Sequence, residues 1–138
     1  MGEPQVIDRP KLDMLRHELG SNFARILGYF CEDGARSVHA IEEAVRQRSA
    51  AALVNPAHTL KGEALQFGAQ ALGRLSESIE MQGRTAVEDH VFPSGVVEDV
   101  VKLRPLFDQA LELLLHESSA PPAQRKPAAF GRKVIARA

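Results

Sequence analysis

The chain has no tryptophan, a single tyrosine and a single cysteine among its 138 residues. One cysteine cannot form an internal disulfide or a thiolate metal cluster, so a reducing compartment is expected. Cys31 reads as a small apolar residue filling a core position. No apolar run approaches the roughly 20 residues that a membrane-spanning helix needs. The opening "MGEPQVIDRP" lacks the charged and apolar regions of a signal peptide, and a cytoplasmic protein is expected. Also missing are a Gly-rich nucleotide loop and a nucleophile elbow. His17, His39, His90 and His116 share no metal-ligand spacing with one another or with His58, which leaves them as surface or helix-end residues. Acidic residues are absent after Glu117, where Arg125, Lys126, Arg132, Lys133 and Arg137 follow. The body is therefore acidic and the tail basic, which argues against a nucleic-acid-binding body.

Period-two alternation and β-branched clusters are scarce, so strands are not expected. Helical spacing dominates instead. Leu12, Leu15 and Leu19 form a short apolar face that stops at Gly20. Phe23, Ile26, Leu27, Phe30, Gly34, Val38, Ile41 and Val45 recur at steps of three and four and predict one helix over 21–47. A third helix begins either at Asn55, with Pro56 in its first turn, or at Ser49 with a kink at Pro56. The helix propensity of "SAAAL" and the capping ability of Ser49 favour the earlier start. A fourth helix is predicted over 69–82 and a fifth over 94–117, with a kink or break at Pro105. Four long amphipathic segments with short connections imply an all-α, antiparallel four-helix bundle with a short additional N-terminal helix as a lid. The segment after Glu117, "SSAPPAQRKPAAFGRK", is rich in helix breakers and poor in core formers, and predicts a flexible tail.

Within the third helix, "AHTLKGEALQFGA" places a glycine where it costs about 1 kcal/mol relative to alanine. His58, Lys61, Gly62 and Leu65 share one face, while Leu60, Ala64 and Phe67 share another that can enter the core. With no side chain at position 62, the imidazole one turn earlier stands uncovered. The glycine then reads as clearance for a partner, and Lys61 as a cation suited to an incoming phosphoryl group. A hairpin turning at Gly68 and Ala69 brings Glu80 to the height of His58. A hydrogen bond from Nδ1 to Glu80 would fix the tautomer that leaves Nε2 free as a nucleophile. The other reading of Glu80 is an ordinary exposed helix residue.

These segments, "AHTLKGEALQFGA" followed by "LGRLSESIEMQGR", resemble the histidine phosphotransfer (HPt) domain family of two-component phosphorelays. The resemblance covers residues 8–117 and leaves 118–138 as the basic tail. It implies that His58 is the phosphoacceptor, exchanging a phosphoryl group with aspartates on receiver domains of a hybrid histidine kinase and of response regulators. Lys61 would screen the phosphate, Gly62 would admit the receiver, and Glu80 would orient His58. The Mg²⁺ would sit on the receiver, and this chain would be a monomeric stoichiometric carrier without a kinase or ATP-binding domain or a cofactor of its own. Met14 and Leu65 are candidates for an exposed docking patch. Glu63 departs from the family pattern, which favours a small residue there; on an ideal helix it points about 140° from His58. It leans toward an alternative function, a non-phosphorylated interaction module that binds or sequesters a receiver or kinase. A dimerising histidine bundle is a third reading, disfavoured because one chain already supplies four long helices.

Overall fold

The computed structural model describes residues 5–119. In chain order the helices are α1 Arg9–Leu19, α2 Phe23–Arg46, α3 Ala50–Gln66, α4 Gln70–Asp89 and α5 Val96–Ser119, with a 3-10 turn at Gly20–Asn22. The long helices pack in the cyclic order α2, α3, α4, α5, and α5 returns to α2 to close the bundle. The expected all-α four-helix bundle with a short N-terminal helix is what the chain forms. The tail expected over 118–138 falls, from residue 120 onward, outside the described residues.

Buried residues at helical spacing explain each long element. Leu27, Phe30, Val38 and Ile41 of α2 face Leu53, Leu60 and Ala64 of α3, Leu72 and Ile79 of α4, and Leu103, Phe107 and Leu114 of α5 in one core. Phe67, at the end of α3, stacks on Phe30 with ring centroids 5.1 Å apart and meets Phe23 edge-on at 6.0 Å. Cys31 packs partly buried against this core, and burial raises its thiol pKa.

Ser49 caps α3, its side chain accepting from the Ala52 amide at 3.2 Å, so the earlier of the two predicted starts holds. Pro56 and Pro105 both lie inside continuous helices. Each forfeits the bond to the carbonyl four residues back, and those carbonyls belong to Ala52 and Val101, both exposed residues where water can substitute. The largest departure from the sequence reading is α4, which continues seven residues past Gln82 to Asp89. Gly83 is not a terminus. It is buried in the helix interior, where a Cβ would press on Leu53, Val54 and the Ala50 carbonyl of α3.

The short α1 lies across one end of the bundle. Asp8 caps it, and the Asp8 amide also donates to the Gly68 carbonyl at 2.6 Å, tying α1 to the turn between α3 and α4. Leu12 and Leu15 are buried beneath it, and Arg9 and Arg16 both reach Glu117 near the end of α5. Gly20 ends the helix with φ +55°, a conformation that favours glycine.

Candidate functional site

Positions 73, 76, 80 and 83 fall on one face of α4, and all four residues there are buried: Gly73, Ser76, Glu80 and Gly83. Three of them are small. A Cβ at Gly73 would overlap Leu65 of α3, just as one at Gly83 would crowd Leu53 and Val54. The missing side chains let α3 and α4 approach closely, and their mutual contact is the most extensive in the bundle. Glu80 is the single long side chain on this face, clasped between the two helices.

The Glu80 carboxylate, 3% exposed, collects donors from both sides. His58 Nδ1 lies 3.0 Å from Oε2, and Arg84 delivers Nε at 3.0 Å and Nη2 at 2.8 Å to the same oxygen. Lys61 Nζ stands 2.9 Å from Oε1, as an ion contact rather than an aligned hydrogen bond. Burial alone would raise the Glu80 pKa. Lys61, Arg84 and His58 outweigh it and hold the carboxyl down to about 2. An acceptor-only carboxylate requires Nδ1 to carry the proton whenever the imidazole is neutral, which leaves the Nε2 lone pair uncommitted. The His58 side chain is 61% exposed, so that lone pair is accessible.

A carboxyl pKa depressed in the fold contributes stability that is complete above its ordinary value near 4.5 and disappears as pH falls toward 2. Because Lys61 and Arg84 are partly exposed, this contribution is about 1–2 kcal/mol rather than the full linkage value. Urea titrations from neutral pH downward should show the wild type losing that much more stability than Glu80→Gln across this window. Parallel curves for the two proteins would contradict the assignment.

Gly62 is exposed, and a Cβ built there meets nothing within 4 Å. No internal contact requires a glycine at this position. Gly62→Ala should therefore stabilise the fold by about 0.5–1 kcal/mol, read from the urea midpoint. A destabilised variant would reveal an internal role for the glycine.

The structure brings His58, Lys61 and Glu80 into one cluster and leaves Gly62 open beside them. Leu65 behaves differently from the expected docking residue, since it is half-buried on Gly73, whereas Met14 is exposed on α1. Arg84 was missed at the sequence level, although its position four residues after Glu80 on a helix was a legible signal. Glu63 turns toward α2, and its carboxyl pKa is raised by burial and by Asp33. Its charge is thus directed away from His58. His17, His39, His90 and His116 are exposed, and no group of three or more potential metal ligands occurs among the described residues. None of the helices among the described residues is long and apolar enough to cross a membrane.

A family model described as "Hpt domain" matches residues 25–120. No curated protein and no solved structure matches the chain.

Proposed function

We propose, since the chain belongs to the Hpt domain family, that His58 accepts a phosphoryl group from a receiver-domain aspartate and passes it to another, making the protein a stoichiometric carrier in a two-component phosphorelay. Phosphotransfer in two-component signalling is the role the family suggests. The observation that supports its assignment to His58 is a largely exposed imidazole whose Nδ1 is engaged by a buried carboxylate, which leaves Nε2 as the nitrogen free to react, one turn before an open glycine.

In the forward step the Nε2 lone pair attacks phosphorus in line. An N–P bond forms, the P–O bond to the receiver aspartate breaks, and the aspartate leaves as a carboxylate. The proton on Nδ1 stays in place. The ring consequently gains positive charge, and Glu80, already adjacent, stabilises it without reorganisation. Lys61 can exchange its contact with Glu80 for one with a phosphoryl oxygen, and Gly62 leaves room for the receiver. The receiver supplies the Mg²⁺ that offsets phosphate charge. Transfer in the reverse direction uses the same groups.

The test is incubation with a phosphorylated receiver in the presence of Mg²⁺, followed by separation of the chains. Acid-labile, alkali-stable phosphate on this chain is the expected result. Its absence with every receiver encoded in the same genome would sink the reading. The alternative of a silent binding module rested on Glu63, and the turn of Glu63 toward Asp33 removes its main support.

A further inference from the structure

The last turns of α4 and the loop that follows form an open groove to which the proposed transfer step gives no part. Its volume is about 340 Å³, and its mostly apolar lining includes Met81, Gln82, Asp89, Val91 and Pro93. Met81 is 54% exposed and Val91 63%, so two large apolar side chains stand uncovered there. The loop wall is held in place, because the Arg48 guanidinium lies over the Phe92 ring, 4.7 Å from its centroid. Gln82 donates to Asp99 of α5 at 2.8 Å, which puts the groove on the α5 side of α4, whereas Glu80 faces Lys61 of α3.

The surroundings of the groove are acidic. Between positions 77 and 99 the chain carries Glu77, Glu80, Glu88, Asp89, Glu98 and Asp99 against one basic residue, Arg84, and Arg84 is committed to Glu80. The other five acids have no cationic partner among the described residues. An apolar groove with such a rim suits a short segment that is both apolar and basic. Seven residues line it, whereas a stable interface between folded proteins uses roughly 20–30 residues a side, so a peptide fits it better than a second copy of the bundle.

The chain carries a segment of that chemistry. Beyond Ser119, where α5 ends, Phe130 is the first large apolar residue, and Arg132, Lys133, Val134 and Ile135 follow it with no acid among them. Asp99, beside the groove, lies 20 residues before Ser119 on α5, or about 30 Å along the axis. The 11 residues from Ser119 to Phe130 can span up to about 36–40 Å. Phe130 is therefore within reach of the groove. A tether of this length presents the segment at an effective concentration on the order of millimolar, so a few buried side chains and a complementary rim suffice to seat it.

We propose that residues 130–135 of this chain dock in the groove, with Phe130 against Met81 and Val91 and the basic side chains over the acidic rim. The segment then acts as a strap running back along the bundle. It closes the groove to other proteins and leaves His58 open, because the groove lies on the side of α4 turned away from α3. The docking does not depend on the phosphorelay reading.

The experiment uses the full chain with Cys31→Ala and Gly131→Cys, a nitroxide attached at position 131, and amide and methyl spectra recorded before and after the nitroxide is reduced. Circular dichroism checks the fold. Signals of Met81, Ala86 and Val91 should lose most of their intensity to the nitroxide, while those of Leu12 and Leu15 at the opposite end keep theirs. Adding Phe130→Ser or Met81→Lys should restore the groove signals. With the native cysteine kept and no nitroxide, Phe130→Ser alone should shift the same groove resonances. Absent broadening, or broadening spread evenly over the acidic surface, would overturn the proposal, and so would groove broadening that Phe130→Ser leaves unchanged. Quenching seen only between molecules, in a mixture of isotope-labelled and nitroxide-labelled chains, would assign the groove to a second copy and overturn it as well.

Discussion

His58→Gln is expected to abolish phosphate acceptance while leaving the fold intact. Glutamine offers no nitrogen lone pair comparable to Nε2, because its amide nitrogen is conjugated with the carbonyl, so the N–P bond has no starting point. The structural cost is small for reasons visible around Glu80. His58 is largely exposed and supplies one of several donors to the carboxylate. Lys61 and Arg84 remain when it is removed, so no buried charge is stranded. Glutamine is also at least as good a helix former as histidine. The urea midpoint should therefore stay within about 0.5 kcal/mol of the wild type. Acid-labile label should drop to background in the same receiver assay that labels the wild type. Residual label of normal intensity on the variant would move the acceptor to another residue, and a lost helical signal would instead make the result uninterpretable as chemistry.

The bundle was legible because apolar residues recur at helical spacing over long stretches, as in Phe23 through Val45, and because Ser49 and Gly20 have the chemistry of helix ends. The cluster around His58 was legible in part through register, since counting from the turn at Gly68 places Glu80 opposite the histidine. What escaped the sequence depends on the neighbouring helix. Gly83 resembles a helix stop until α3 is seen lying on it, because nothing in one strand of sequence distinguishes a glycine that ends a helix from one that admits another helix. Leu65 looks outward from its position beside His58 and Gly62, yet the absent side chain at Gly73 provides a depression that receives it. Lys61 was read as a cation waiting for phosphate; in the unphosphorylated chain it already contacts Glu80. Its availability thus depends on what else can neutralise that carboxylate, and this links the missed Arg84 to the residues that were found.

The helical glycines also predict opposite responses to the same kind of substitution within a single helix. Gly28 and Gly34 both lie in α2, but a Cβ at Gly28 meets nothing within 4 Å, whereas one at Gly34 overlaps Phe107 Cε1 and sits 2.8 Å from Cζ. The Phe107 ring has little room to retreat. It is 2% exposed and held edge-on against Phe30 at 5.9 Å, and Phe30 is in turn stacked on Phe67. Adding a methyl group at position 34 gains about 1 kcal/mol of helix propensity and loses about 1–3 kcal/mol to overpacking, so Gly34→Ala should be mildly destabilising. Gly34→Leu adds three further carbons to a close-packed interior and must separate α2 from α5, with an expected loss of about 3 kcal/mol or more. Gly28→Ala should do the reverse and stabilise by about 0.5–1 kcal/mol. Urea unfolding of the three variants alongside the wild type would test the pattern, since propensity alone predicts that both alanine variants gain stability. If Gly34→Leu unfolds at the wild-type midpoint, α2 and α5 are not in the contact described. If it unfolds early but still accepts phosphate at low temperature, the damage is confined to the α2–α5 seam, as expected for a site built on the opposite pair of helices, α3 and α4.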